Sequence, residues 1–225
     1  MRTTTGDVAK PLRADAERNR QAIISAAARV FAEQGTSVTL EHVASVAGVG
    51  VGTIYRRFPS VESLVTVVME QKIRLYADRS EQAAAQAKGD ARAAFSDFVF
   101  FMLQQQATDL AFSDLILSPR GASESFRSEI GRALDASILL VERAKAAAVV
   151  RDDFDHSDLY LMLNANAGIV RGMGRTAPDS WRRFGQYMLQ AFSEPGATEL
   201  VPPPGAWARV ARARSDAASR RRATR

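Results

Sequence analysis

Residues 39–58, TLEHVASVAGVGVGTIYRRF, concentrate side chains that can hold a polyanion. Hydroxyls on Thr39, Thr53 and Tyr55 donate to phosphate oxygens, and the guanidiniums of Arg56 and Arg57 do the same or read the acceptor edge of guanine. Thr39 adds the free amides of the helix turn that it opens. With Gly50 and Val51 at the head of the second half of the segment, these seven residues form the expected contact set. Chemistry of this kind binds; it makes and breaks no covalent bond.

The elements that must position these groups are legible in the spacing. Ile23, Ala26, Ala27, Val30 and Phe31 recur at helical intervals within about 13–34, and Gly35 stops the run. Thr39 caps a second helix with Glu41 in its first turn, Leu40, Val43, Ala44 and Ala47 along it, and Gly48 at its end. A third, very short helix runs from about Val51 to Phe58 and is closed by Pro59. Gly48 reaches left-handed backbone angles cheaply, so the chain can turn sharply there. Ala44 and Ala47 allow close approach, while Val43, Val49, Ile54 and Phe58 lock the angle between the two helices. Two short helices about a tight turn form a helix-turn-helix, and the second is a rod that fits a major groove roughly 12 Å wide.

Ser60 caps a fourth helix reaching towards Gln86. Further helices are expected at about 90–107, 109–118, 123–148, 156–172 and 178–193, with Pro178 in the first turn of the last. Period-2 alternation bounded by hairpin turns is missing, so the fold class expected is all-α.

Other chemistries lack their residues. The absence of cysteine removes disulfides, thiolate nucleophiles and cysteine-based zinc sites. His42 and His156 stand far apart with no HExxH or ExxH pattern, so no metal is expected. Neither GxSxG nor GxxxxGK[ST] occurs, and the run Gly48-Val49-Gly50-Val51-Gly52 follows a helix rather than a strand. The acids around Arg151–Asp155 and Asp158 read as a loop and helix cap. No enzyme activity and no cofactor are expected. No apolar run approaches the ~18 residues of a membrane span, and the first ten residues do not resemble a signal peptide, so a cytoplasmic protein is expected.

Charge is uneven along the 225 residues. The net +5 sits at the two ends, since 1–60 and 194–225 are basic and the stretch between them is slightly acidic. Basic ends suit a protein that approaches a polyanion.

The segment is similar to the DNA-binding signature of the TetR family. The pattern is met by Thr39, Val43, Ala44, Ala47, Gly48, Val49, Gly52, Thr53, Ile54, Tyr55, Phe58, Ser60, Glu62 and Leu64, and by Phe31–Gly35 before it. Three positions depart from the family's habit: Gly50 replaces a serine, Val61 replaces a lysine, and Arg57 stands where histidine or tyrosine is common. The first two remove phosphate-facing groups and the third restores a charge. The resemblance implies a repressor that binds double-stranded operator DNA as a homodimer and is released by a small-molecule effector. A constitutive, architectural DNA-binding protein without effector is the alternative.

The domains expected are a flexible arm over 1–12, a helix-turn-helix head over 13–59, a ligand-sensing and dimerising helical bundle over 60–193, and a basic, largely disordered tail over 194–225. Bulky apolar residues crowd Phe95–Leu117 among the polar Gln104, Gln105 and Gln106, as a small-molecule cavity requires. Phe98, Phe101, Met102, Gln105, Phe112, Phe126 and Asn164 are the expected lining. The resemblance implies dimerisation through the last two helices, about 157–171 and 179–192. The first of these carries Leu159, Leu161, Met162, Leu163, Ile169 and Val170 around most of its circumference, more apolar surface than a lone subunit tolerates.

Overall fold

The structure, a computed structural model, describes residues 9–109, 111–112, 124–174, 176–193 and 200, with side chains from residue 15 onward. The described residues form eight long or short helices and no strand: α1 (Ala9–Gln34), α2 (Leu40–Ala47), α3 (Val51–Arg57), α4 (Val61–Gln86), α5 (Ala91–Thr108), α6 (Glu124–Ala146), α7 (His156–Met173) and α8 (Ser180–Ser193). Residues 111–112 are helical as well; the rest of the helix expected at 109–118, and all of the tail except Leu200, lie outside the described residues. The fold is all-α.

The helix boundaries differ from the sequence reading by a few residues, and at two of them a proline changes place. α1 begins at Ala9 rather than near Arg13 and takes in Pro11, whose missing N–H is harmless in a first turn. α8 begins at Ser180, so Pro178 stands in the turn before it instead of inside its first turn.

The chain divides into two compact units, one of residues 1–78 with 108–132, the other of residues 79–107 with 133–225. The first has a single apolar cluster. Ile23, Ala27 and Phe31 of α1 meet Leu40, Val43 and Ala44 of α2, Ile54 of α3, Phe58, and Leu64, Val68 and Ile73 of α4. Ala111, Phe112 and Phe126 complete it. This core therefore continues past residue 59, where the sequence reading placed the edge of the head, because Leu64, Val68 and Ile73 of α4 pack into it at helical spacing. Two ion-pair groups lie at its edge: Lys72 with Asp109, and Arg74, Glu129, Arg132 and Asp78.

In the second unit, Phe95, Phe98, Met102 and Leu103 of α5 are buried with Leu140 and Val141 of α6, Leu159, Met162 and Leu163 of α7, and Trp181 of α8. Phe154 stands edge-to-face to both Phe95, at 5.8 Å, and Phe192, at 4.8 Å. α8 comes close to α5 at Gly185: a Cβ there would stand 2.7 Å from Leu103 Cδ1 and 3.0 Å from Phe100 Cε1. Asp155 caps α7 in a reciprocal box, its carboxylate accepting from Ser157 N–H while Asp158 accepts from the Asp155 N–H.

Candidate nucleic-acid interface

The helix-turn-helix is built from local rules that its sequence satisfies. Thr39, in extended backbone, accepts the His42 N–H at 3.2 Å and so caps α2. Gly48 follows with φ 68°, and its N–H reaches the Ala44 and Ser45 carbonyls while Val49 N–H bonds Ala44 at 3.0 Å. Gly50 opens α3 with its carbonyl, accepting from the Thr53 and Ile54 amides. Ile54 alone of α3 is fully buried, and Phe58 closes the helix against the core. Ser60 and Ser63 then cap α4 reciprocally, each hydroxyl accepting the other's backbone N–H.

With Ile54 turned inward, Val51, Tyr55, Arg56 and Arg57 are exposed and Thr53 is half-buried. Thr39 and Gly50 are exposed beside them. All seven expected contact residues thus belong to one small unit, on the stretch from the α2 cap to the end of α3.

Two of these groups are not idle. The Tyr55 hydroxyl donates to the Glu41 carboxylate at 2.5 Å, from α3 to the first turn of α2. That bond, helped by the backbone amide and the Thr39 hydroxyl, holds the Glu41 carboxyl below the usual carboxylate range. The same bond pushes the Tyr55 phenol up, because an anion beside it resists a second negative charge. Arg56 donates to Thr53 Oγ1 at 3.2 Å along α3, leaving most of its guanidinium open. The sequence reading assigned Glu41 only to the helix dipole. Its proximity to Tyr55 depends on the angle between α2 and α3, which no spacing within either helix states.

The expected ligand lining separates between the units. Phe112 and Phe126 are buried in the core of the first. Phe98 and Met102 are buried in the second, with Phe101 and Gln105 partly exposed. Asn164 is exposed on α7 and donates to its own helix at the Tyr160 carbonyl, so it does not face the interior. The buried amides are instead Gln106 and Asn166. Helical register could have found both: Gln106 continues the inward series Phe95, Val99, Met102, and Asn166 continues Leu159, Met162, Leu163. A cleft of about 260 Å³ in the second unit is lined by other residues, among them Arg92, Phe95, Val150 and Leu189.

His42 is exposed beside Gln34, while His156 is packed in the second unit with its Nε2 2.8 Å from Ser137 Oγ. Among the described residues no three His, Asp or Glu side chains converge as a metal site. Nor is any described helix long and apolar enough to cross a membrane.

Comparison with known proteins agrees with this geometry. Residues 23–68 match the family model described as "Bacterial regulatory proteins, tetR family". An HTH-type transcriptional regulator of Staphylococcus aureus (strain USA300) is 31% identical over 72 residues, 32% of this chain and 39% of the relative. The chain thus spans well under half the length of the curated relatives it matches. A TetR transcription regulatory protein from Mycobacterium vanbaalenii has a similar structure, with TM-score 0.56 and 27% identity over 81% of this chain and 99% of that one. The TetR transcriptional regulator SCO0520 from Streptomyces coelicolor gives TM-score 0.56 and 25% identity over 79% and 99%. Residues 23–68 thus carry a TetR-family helix-turn-helix, and the helical body is similar in fold to solved TetR-family regulators.

Proposed function

We propose that this protein is a sequence-specific transcriptional repressor that binds a palindromic operator as a homodimer and is released by a small-molecule effector. The observation that carries the reading is the exposed set Val51, Thr53, Tyr55, Arg56 and Arg57 on a short helix whose inner face is locked by Ile54 and Phe58. Thr39 and the amides of α2 grip one phosphate strand, Gly50 lets the backbone approach closely, and Arg56 and Arg57 reach base edges or phosphate.

A homodimer through α7 and α8 is supported by what these helices leave uncovered in one subunit. Leu161 is 49% and Tyr187 51% exposed, with Ala165, Gly168, Gly172 and Met173 also on the open side of α7. Small residues between large apolar ones suit a twofold helix contact. A dimer places two α3 helices in successive major grooves about 34 Å apart. The region 60–193 is the sensing and dimerising part, and α4 is the element that carries its state to the head, since its first 18 residues belong to the first unit and the rest to the second. A ligand that favours the released state by ~1–3 kcal/mol suffices for a switch.

The test is a selection of bound genomic fragments with purified protein near physiological salt, beside the double variant Tyr55→Phe/Arg56→Ala. Recovery of a short palindrome that the variant loses is the expected result. Equal recovery of all fragments by both proteins would leave a non-specific, architectural binder.

A further inference from the structure

We infer that the buried amides Gln106 and Asn166, on α5 and α7 of the second unit, form the polar recognition point of a site for a neutral small molecule that presents a hydrogen-bond acceptor beside a donor, as a carboxamide or lactam edge does. This rests on the effector reading above and names the class of effector.

Gln106 is 1% and Asn166 0% exposed. Asn166 Nδ2 donates to Gln106 Oε1 at 3.0 Å and to the Leu103 carbonyl at 3.3 Å. A backbone carbonyl only accepts, so the atom of Asn166 that faces Leu103 must be its nitrogen. The atom of Gln106 facing that nitrogen must then be its oxygen. Both amide orientations are fixed by this chain of requirements: flipping Gln106 alone sets donor against donor, and flipping Asn166 alone sets acceptor against acceptor. Left over are Gln106 Nε2, a donor, and Asn166 Oδ1, an acceptor, each buried and without a hydrogen-bond partner among the described residues. Buried polar atoms are nearly always paired, so two of opposite sense on one bonded pair define what is missing. The complement is a group that accepts from Gln106 and donates to Asn166.

The surroundings narrow the class. The same helices present buried Phe98, Met102 and Leu103 from α5 and Met162, Leu163 and Ala167 from α7. Every fully buried polar side chain among the described residues is neutral: Ser80, Gln106, Ser137, Ser157 and Asn166. An ion placed at the pair would meet no buried countercharge, which excludes carboxylates and ammonium groups as the anchored end. Packing is incomplete further along the same two helices. Ala107, one residue past Gln106, and Ile169 and Val170, about one turn past Asn166, line a cavity of about 40 Å³ with Trp181 and Pro178, whose walls do not include the two amides. That volume accepts water-sized groups, and an organic ligand enlarges it.

The experiment uses the full chain and three amide probes, oxindole, valerolactam and phenylacetamide. Each is compared with its fully N-methylated counterpart, which keeps the carbonyl acceptor and loses the N–H donor, and with phenylacetate. Binding is read by calorimetry and by thermal shift, and operator release by fluorescence anisotropy. At least one amide is expected to bind about tenfold or more tightly than its methylated partner, because a site with buried polar groups rejects analogues that leave them unpaired. Phenylacetate is expected not to bind. Gln106→Met, which keeps the length and removes the donor, is expected to fold and to lose the preference; Asn166→Leu is the second variant should the first fail to fold. The inference is overturned if no amide binds, as when water alone fills the site, if methylated and parent probes bind alike, or if Gln106→Met leaves the preference intact. An amide that binds at the pair without changing DNA affinity upholds the site and defeats the effector reading instead.

Discussion

Glu41 and Tyr55 hold each other across the helix-turn-helix, and the pair sets a condition on the proposed DNA binding. A phosphate that accepts from the Tyr55 hydroxyl must take it from Glu41, leaving a carboxylate close to the DNA backbone. Glu41→Gln keeps a hydrogen-bond acceptor and removes the charge, so operator affinity measured by anisotropy should rise, most clearly at low salt. A weaker complex would mean that the anion itself reads the DNA. His156 gives a second prediction at this scale. Burial pushes its pKa down to about 4, against a smaller opposing pull from Asp155. The folded state therefore binds this proton less well than the unfolded chain, whose imidazole titrates near 6.5. Its contribution is fully present above pH 6.5 and is lost as pH falls towards 4, by about 3 kcal/mol at most for a ring that stays partly exposed. Denaturant titrations at stepped pH should show that loss, and His156→Gln should flatten the slope in this window. An unchanged slope would show that other groups carry it.

Helices here are terminated and packed by glycines with opposite requirements. Gly48 holds φ 68° at the turn between α2 and α3, where an L side chain is strained although nothing crowds it. Gly48→Ala should cost about 1–2 kcal/mol in urea unfolding. Gly185, inside α8, has ordinary angles and no room, with Leu103 and Phe100 where its Cβ would be. Gly131, inside α6, has ordinary angles and open space. Alanine at both positions gains helix propensity of up to about 1 kcal/mol, but at Gly185 overpacking of about 1–3 kcal/mol outweighs it. Melting temperatures should thus move in opposite directions, up for Gly131→Ala and down for Gly185→Ala. Shifts of the same sign would show that α8 yields to make space.

At the scale of the whole molecule, the proposed dimer and its DNA act as one system. Leu161→Glu places a charge on the open face of α7 and should shift sedimentation from dimer to monomer. Operator affinity should fall with it, because each head then binds its half-site alone. Arg57→Ala should weaken binding to all sequences and lower the magnitude of the salt slope by about 1, the signature of one lost phosphate contact. Arg56→Ala, by contrast, should cost about 1–3 kcal/mol on the operator and relax the preference at one base pair if that guanidinium reads guanine.

The sequence by itself determined whatever depends on neighbours a few residues apart. Thr39 as cap, Gly48 as turn, Ser60 as the next cap and the inward periods of α1, α2 and α4 could all be read directly, since capping and helical period act within one or two turns. The all-α class and the outward set on α3 followed from the same rules. Only the tertiary structure decided which distant groups meet. It paired Tyr55 with Glu41, carried the head's core on through α4 to Phe112 and Phe126, and brought Asn166 against Gln106, 60 residues away. Those outcomes depend on the angles at which helices cross and on the rotation of each about its axis. Both are set by the packing of whole faces, which no spacing within a single helix states.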